Sequence, residues 1–240
     1  ITAMSGLFPQ SNTGFFTAAP ERIKNAIQAA HLNQDFTNIL PNQVLNCFNQ
    51  LGSNLKDDER IIFGDKASST VVLDKESRKR LVLAASKAKE YSGPYEIRGI
   101  ITALDKERKT FEIQLINGSK IKGDYIPEHL EVLQTALVEM ENRRKVFIKG
   151  VGTFNAQDKL MKIDRLEDSL SLDPLDVPAR LEELTQLVQG WLDGEQGEPI
   201  AEDKAQRLGE KFDQYYDSEN LPLPATFPSP DGNIQFEWSI

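Results

Sequence analysis

The chain is short of the residue types that perform most metal and nucleophile chemistry. Its 240 residues include one cysteine, Cys47, and two histidines, His31 and His129. A single cysteine excludes an internal disulfide, and no His/Cys spacing matches a zinc site. The sequence also lacks a Gly-Lys-Ser/Thr phosphate loop and a Gly-x-Ser-x-Gly nucleophile elbow. We therefore predict no catalytic residues, no metal site and no cofactor.

Long hydrophobic runs are also missing. No apolar stretch approaches the roughly 20 residues that a membrane-spanning helix needs. Residues 6–19 are too short and too often interrupted by polar residues to be typical of a secretory signal. The composition, 39% hydrophobic and 27% charged, is that of an ordinary globular protein. We expect a cytoplasmic protein without membrane contact.

Positive charge is scarce at one end of the chain. Residues 169–240 contain 4 Lys/Arg against 15 Asp/Glu, a net charge of −11, whereas residues 1–93 carry +2 and residues 94–168 carry 0. The overall charge of −9 argues against broad contact with a DNA backbone. An acidic part can instead steer a basic protein partner, so we predict a protein partner, for which a basic surface would suit this charge.

The most informative pattern lies in residues 95–168, which predict three strands, one helix and two more strands. Residues 110–116 predict a half-buried strand, because apolar and polar side chains alternate from Thr110 to Leu115, and Asn117-Gly118 is a strong hairpin signal. The helix that follows presents Leu130, Leu133, Leu137 and Met140 on one face. This order is that of an OB-fold, a five-stranded barrel with a helix between its third and fourth strands. The alternatives are a generic five-stranded α+β sheet and an SH3-like barrel with an added helix.

The predicted fold is thus α+β, with an OB-like five-stranded barrel at residues 94–170. A mainly helical part with a short β-hairpin precedes it at residues 1–93. Its third helix, predicted over residues 75–91 and capped by Asp74, carries a basic stretch that we interpret as a solvated face, with a nucleic-acid surface as the alternative. That stretch consists of Arg78, Lys79, Arg80, Lys87 and Lys89. Residues 171–240 predict an acidic helical module with proline-rich segments and a terminal strand.

This last module resembles the ending shared by many uncharacterised bacterial proteins. Those proteins end in a "GWDG" box, a helix and then a "PTPDGGIQxEW" segment, and their middle region is OB-like. Here the matching residues are Gly190-Trp191-Leu192-Asp193-Gly194, Leu221-Pro222-Leu223-Pro224 and Pro228-Ser229-Pro230-Asp231-Gly232-Asn233-Ile234-Gln235-Phe236-Glu237-Trp238. Leu192 is inserted, Ser229 replaces threonine and Asn233 replaces the second glycine. The resemblance covers about the last two thirds of the chain. It implies a bacterial source and brings no activity.

Our first functional hypothesis is a non-catalytic binding or adaptor protein in a bacterial cytoplasmic protein complex. The candidate partner-binding residues lie in the two motifs of the terminal module: Trp191, Asp193, Phe236, Glu237 and Trp238. A terminal strand can complete a sheet in the same chain or in a neighbour. The alternative fate of Ile234, Phe236 and Trp238 is packing within their own domain.

Two other hypotheses come from different residues. Binding of single-stranded nucleic acid would use outward-facing side chains of the barrel, namely Arg98, Lys120, Lys122, Phe147, Lys149 and Lys162. The competing interpretation of these lysines is a salt-bridged outer sheet surface. A carboxylate- and metal-dependent hydrolase could use Asp57-Asp58-Glu59, although a loop with a helix-start or turn role suits these residues better. It could also use the pair Asp231 and Glu237, but the lysine expected of a metal-dependent nuclease does not follow Glu237.

Overall fold

The computed structural model describes residues 13–64, 70–139, 144–217 and 219–239. Within these residues the chain forms six α-helices and nine strands. In chain order they are α1 (Thr13–His31), α2 (Asn42–Cys47), β1 (Arg60–Phe63), β2 (Val71–Asp74), α3 (Lys75–Ala85), β3 (Glu90–Asp105), β4 (Thr110–Gln114), β5 (Lys120–Asp124), a 3-10 turn (Pro127–His129) that leads into α4 (Leu130–Val138), β6 (Val146–Asn155), β7 (Leu160–Ser171), α5 (Val177–Leu184), α6 (Glu202–Tyr215), β8 (Ala225–Pro228) and β9 (Ile234–Glu237).

The chain divides into two compact units. The first consists of Ile1–Pro94 and Val151–Met161, so the tip of the β6–β7 hairpin belongs to it. The second consists of Tyr95–Gly150 and Lys162–Ile240. The three-part division expected from the sequence, with boundaries near residues 93 and 170, stays a prediction.

The first unit has a core of its own. Residues of α1, α2, β2 and α3 bury apolar side chains together, among them Ile27, Leu45, Leu73 and Leu81. The capping role predicted for Asp74 is confirmed, because its carboxylate accepts hydrogen bonds from the Ser77 backbone N–H and hydroxyl at 2.8 Å and 2.7 Å. This capping box satisfies amide groups that the first turn of a helix leaves free.

The basic stretch on α3 is not a simple solvated face. The Arg78 side chain is only 1% exposed and donates hydrogen bonds to the carbonyl oxygens of Asn49, Leu51 and Ser92 at 2.7–2.8 Å. Arg80 donates to the Ala30 carbonyl at 2.8 Å. The expectation of a solvated face is wrong for Arg78, because a guanidinium has enough donors to bind several carbonyls at once.

Five strands form one sheet in the order β3-β4-β5-β7-β6, and its hydrogen bonds close into a ring. β4 pairs antiparallel with β3 and with β5, whereas β5 pairs parallel with β7 through Gly123 and Ile163. Helix α4 lies between the third and fourth of these strands in the chain. The predicted α+β class and the five-stranded sheet are therefore confirmed. Met140, predicted for the face of α4, lies outside the described residues.

Alternation along β4 directs its apolar side chains to one face of the sheet. Phe111 and Ile113 are buried, as predicted, and Gly118 provides the positive φ of 80° for the turn between β4 and β5. A β-carbon on Gly99 would lie 2.5 Å from the Gln114 carbonyl oxygen, and one on Gly150 would overlap the carbonyl of Arg165. Both glycines therefore allow close approach of neighbouring strands, while the register shift in β3 lies between Ile101 and Ala103.

Two predicted helices end earlier than expected. Helix α3 ends at Ala85, and the chain re-enters extended structure at Glu90, where buried Tyr91 stacks on Phe154 with ring centroids 5.5 Å apart. The apolar spacing after Asp176 predicts a second helix that runs to about residue 191, but helix α5 ends at Leu184. Turns follow, and Gly190 adopts a φ of 80°. In both cases tertiary contacts or turn geometry overrides a helical pattern that continues in the sequence.

The acidic end of the chain builds a second apolar cluster. Val177, Leu181 and Leu184 of α5 pack with Ile200 and Ala205. Partly buried side chains from α6 and β9 complete the cluster: Leu208, Phe212, Ile234 and Phe236. The proline-stiffened segment before residue 229 includes strand β8, which pairs antiparallel with β9 from Ala225↔Glu237 to Pro228↔Ile234.

In the part of the chain that the structure describes, no helix has both the length and the apolar character needed to cross a bilayer.

Candidate functional site

A row of aromatic rings runs from α6 to the end of β9. Phe212 stacks on Tyr216 with centroids 4.7 Å apart, and it lies 5.9 Å from the ring of Phe236. Phe236 in turn lies 6.2 Å from Trp238. These separations fall in the range where aromatic pairs attract one another beyond their area of burial. We call these four residues the aromatic row.

The row continues into exposed apolar surface. The Trp238 indole N–H donates to the Pro222 carbonyl at 3.0 Å, and the Tyr216 hydroxyl donates to the Leu221 carbonyl at 2.7 Å. Both bonds hold Leu221 and Pro222, which begin the proline-stiffened segment, against the aromatic row. Trp238 remains 40% exposed and Leu221 51% exposed. An indole fixed at its N–H but open on its ring is suited to pack against another apolar surface.

Two more of the candidate partner-binding residues, Trp191 and Asp193, shape a loop of their own. The Trp191 indole N–H donates to the Glu198 carbonyl at 3.1 Å, and its ring lies against Gly197, where a β-carbon would approach within 2.7 Å. Asp193 accepts the backbone N–H groups of Glu195 and Gln196 at 3.0 Å and 2.6 Å, and these bonds lower the pKa of Asp193.

This loop is tied to the turn that precedes β9. The Glu198 N–H donates to the Pro230 carbonyl at 2.8 Å, and Lys204 of α6 donates to the Gly232 carbonyl at 3.0 Å. Glu237 is exposed on β9, on the side opposite Phe236, and accepts a hydrogen bond from Gln235 at 2.9 Å. The structure thus brings Phe236 and Trp238 together and places Trp191 and Asp193 in a neighbouring loop.

The nucleic-acid candidates lie on several strands and mostly face carboxylates. Lys120 on β5 pairs with Glu112 at 2.9 Å, and Lys122 beside it is exposed. Lys162 on β7 lies 3.7 Å from Asp164. Lys120 and nearby Thr102 donate hydrogen bonds to Glu112, which lowers the pKa of that carboxyl. This part of the sheet surface therefore carries mixed charge.

A second group of these candidates lies on β3 and β6. The Arg98 guanidinium sits over the Phe147 ring, 5.1 Å from its centroid, in cation–π geometry. Lys149, two residues beyond Phe147, pairs with Asp168 at 3.1 Å. Lys145, just before β6, shares the alternation of Phe147 and Lys149. Sequence reasoning missed Lys145 as a site residue, although its spacing from Phe147 was a usable signal.

Acidic side chains of the C-terminal helices surround Arg98. Its guanidinium lies 3.1 Å from Glu182 on α5, 3.8 Å from Asp176 at the start of that helix and 3.8 Å from Asp213 on α6. Lys145 pairs with Glu183 of α5 at 2.6 Å and donates to the Ala179 carbonyl at 3.0 Å. Two cations near β3 and β6 are therefore neutralised by the acidic helices.

Burial acts differently on the carboxyls of this cluster. Burial raises the pKa of Glu182 and of Asp213, although Arg98 opposes the shift in both cases. Burial also disfavours ionisation of Glu183, but Lys145 and Arg180 outweigh it and leave the pKa of Glu183 lowered. The cluster thus contains one carboxylate whose ionised form is favoured, Glu183, and two whose ionised form burial disfavours, Glu182 and Asp213.

A cleft of about 650 Å³ opens beside Arg98 along α5 and α6. Its floor is apolar and includes Pro178, Leu181 and Ala205. Five carboxylates line it together with the single cation Arg98: Glu96, Glu182, Glu202, Glu210 and Asp213. Among the described residues, no group of three or more His, Cys, Asp or Glu side chains is arranged to hold a metal ion.

Comparison with known proteins adds no relative: no family model, no curated protein and no solved structure matches this chain.

Proposed function

We propose that this chain is a non-catalytic binding protein that serves as an adaptor in a cytoplasmic protein complex of a bacterium. The observation that carries the proposal is the open end of the aromatic row, where Trp238 lies beside Leu221 and Pro222 with its ring partly exposed. Large aromatic side chains within apolar surface are enriched among residues that dominate protein interfaces. We name Leu221, Pro222 and Trp238 the Trp238 surface and assign partner binding to it.

The charge of the surrounding module indicates the chemistry of the partner. Residues 169–240 carry a net charge of −11, and exposed Glu237 lies on the same strand as Phe236. The loop that contains Trp191 and Asp193 is also acidic, and a hydrogen bond joins it to the turn at the other end of that strand. A partner with a basic surface would be steered to this module, and salt would weaken the association.

The ring of five strands supports an OB-like barrel as the scaffold of the binding protein. Counted along the chain, the first strand of the ring is β3, and it neighbours the second strand, β4. The fourth strand, β6, closes the ring by lying beside β3. The third strand, β5, pairs in parallel with the fifth, β7, and α4 stands between the third and fourth strands in sequence. This arrangement is that of OB-like barrels, which commonly serve as binding modules.

Affinity purification from the native host, followed by mass spectrometry, tests the adaptor proposal. We expect the wild-type chain to recover a stoichiometric partner with a basic surface, and Trp238→Ala to lose it, because the substitution removes the exposed ring. Tyr215→Ala is the matched control, since Tyr215 is 75% exposed on α6 but lies outside the aromatic row. Raising the salt concentration during washing should release the partner.

Folding must be separated from binding in this comparison. Trp238 also donates a hydrogen bond to Pro222, so a second variant, Leu221→Ser, changes the same surface without removing that bond. Thermal melts of both variants should match the wild type within a few degrees. Equal recovery of the same partner by all variants would refute the assignment of the Trp238 surface, and repeated absence of any stoichiometric partner would refute the adaptor role.

A further inference from the structure

Four side chains on neighbouring strands of the ring form a compact group of three cations and one aromatic ring. They are Arg98 of β3, Lys145 just before β6, and Phe147 and Lys149 of β6. The guanidinium of Arg98 stacks on Phe147, and alternation places Lys145 and Lys149 on the same side of β6 as that ring. We call these four residues the strand patch.

The chemistry of the strand patch suits a single-stranded nucleic acid. Barrels that bind single strands combine cations that contact phosphates with aromatic rings that stack on bases. An arginine that stacks on a ring can contribute to both interactions, because its planar guanidinium also binds phosphate oxygens. The strand patch provides both elements within two adjacent strands, whereas Lys120 lies on β5 against Glu112.

The partners of Arg98 and Lys145 in this structure are carboxylates of the C-terminal helices. Asp176, Glu182 and Glu183 belong to the start and body of α5, and Asp213 belongs to α6. Carboxylates and phosphates are recognised by arginine through the same donor geometry. The acidic helices therefore cover Arg98 and Lys145 with groups that resemble phosphates in charge.

The ion pairs that join the covering helices to Arg98 and Lys145 are contacts that an anion can replace. Both helices also contribute to an apolar cluster within residues 177–236, so their packing on each other and on β9 does not depend on these ion pairs. Burial raises the pKa of Glu182 and of Asp213, which shows that these carboxylates lose hydration that Arg98 does not fully restore. Partly buried ion pairs of this kind often contribute little net stability.

We propose that α5 and α6 act as an intramolecular cover over the strand patch, and that a single-stranded nucleic acid displaces their carboxylates to bind Arg98, Lys145 and Phe147. The cover explains how an acidic chain can retain a nucleic-acid site. This inference rests on other residues than those of the Trp238 surface, so its test and the test of the adaptor proposal are independent.

Fluorescence anisotropy with labelled oligo(dT) of about 15 nucleotides, a length within the range of single-barrel sites, tests the cover in the full chain. Measurements at about 50 mM salt favour phosphate contacts. We expect weak binding by the wild type and at least about tenfold tighter binding by Glu182→Gln/Glu183→Gln. The matched control is Glu195→Gln/Glu219→Gln, which changes the net charge equally at exposed positions away from the strand patch. Its affinity should change less than about threefold.

A second comparison identifies the site. In the Glu182→Gln/Glu183→Gln chain, adding Phe147→Leu should weaken oligo(dT) binding about tenfold, the loss expected for one stacked base. The same addition should leave binding of a heparin fragment unchanged, because heparin has no bases. Equal gains in the variant and its matched control, no binding by either, or an unchanged oligo(dT) affinity after Phe147→Leu would overturn the proposal. If the double variant melts early, Glu182→Gln alone provides the same test with a smaller gain.

Discussion

Arg78 shows how a single residue can hold several segments together. Its guanidinium reaches carbonyl oxygens after α2 and at the start of β3, all at 2.7–2.8 Å. Burial lowers the pKa of Arg78 to about 10, so the side chain remains charged at neutral pH. Without Arg78 these three carbonyls would lose a charged donor, which is unfavourable. The basic stretch of the sequence indicates a solvated face here. The sequence alone does not reveal which of its cations contacts free carbonyls.

We predict that Arg78→Met destabilises the protein by about 3 kcal/mol, because three carbonyl groups lose a charged donor. Arg80→Met is the control, since Arg80 lies two positions away on α3 and donates to one carbonyl, that of Ala30. It should lower stability by about 1 kcal/mol. Urea unfolding followed by circular dichroism measures both. Equal losses in the two variants would contradict the role assigned to Arg78.

Glu182 and Glu183 are neighbours in sequence and opposite in their expected effect on stability. The raised pKa of Glu182 means that its ionised form is less favourable in the folded state than in the unfolded chain. This penalty is complete above the folded pKa, shrinks as pH falls below that value and is gone below the unfolded pKa. The lowered pKa of Glu183 means the reverse: its contribution is present above its unfolded pKa and is lost as pH falls through the folded value.

We therefore predict that at pH 7 Glu182→Gln leaves the melting temperature unchanged or higher, while Glu183→Gln lowers it. The Glu182→Gln difference should shrink as the pH falls toward the ordinary glutamate pKa of 4.5, and the Glu183→Gln difference should shrink as the pH falls below it, because the wild-type carboxyls become neutral like glutamine. The groups that face Glu182 and contribute to its balance are Arg98, Lys145 and Asp176. Melting temperatures measured from pH 3 to 8 test both predictions. A large decrease in the melting temperature of Glu182→Gln at neutral pH would contradict the first of them.

At the scale of elements, glycine positions decide how closely the strands of the ring can approach. Gly150 of β6 faces the Arg165 carbonyl of β7 with no room for a β-carbon, and Gly123 of β5 lies against Ile163. Glycine is unfavourable inside a strand, so Gly99 and Gly150 predict a bulge or a sharp bend when the sequence is taken alone. The structure shows a different reason for both glycines, which is the close approach of neighbouring strands.

We predict that Gly150→Ala destabilises the protein by more than about 2 kcal/mol, because the added methyl group forces two strands apart. Gly209→Ala on α6 is the matched control. Its β-carbon would make ordinary contacts of 3.7 Å with Leu181 and Pro178, so the substitution should stabilise the helix by about 0.5–1 kcal/mol. Thermal unfolding of both variants tests the contrast. An unchanged stability of Gly150→Ala would contradict this prediction, because it would mean that β6 and β7 can separate without a decrease in the free energy of unfolding.

For the whole molecule, the uneven charge connects the two proposals. The acidic residues 169–240 include the open end of the aromatic row and the carboxylates that cover Arg98 and Lys145. A basic protein partner and a single-stranded nucleic acid would thus meet the same acidic module in different ways. The negative charge of the module would attract the basic protein, whereas the nucleic acid would have to displace the carboxylates from Arg98 and Lys145.

The sequence by itself determined the features that depend on local order and composition. The period-two pattern of residues 110–116, the Asn117-Gly118 turn and the Asp74 cap each follow from nearby residues, and all three are present in the structure. Only the tertiary structure decided which distant groups meet. Arg78 binds carbonyls up to 29 positions away, and Arg98 meets carboxylates 78 to 115 positions along the chain. Such pairings depend on how elements pack, because charge and period in the sequence do not specify a partner.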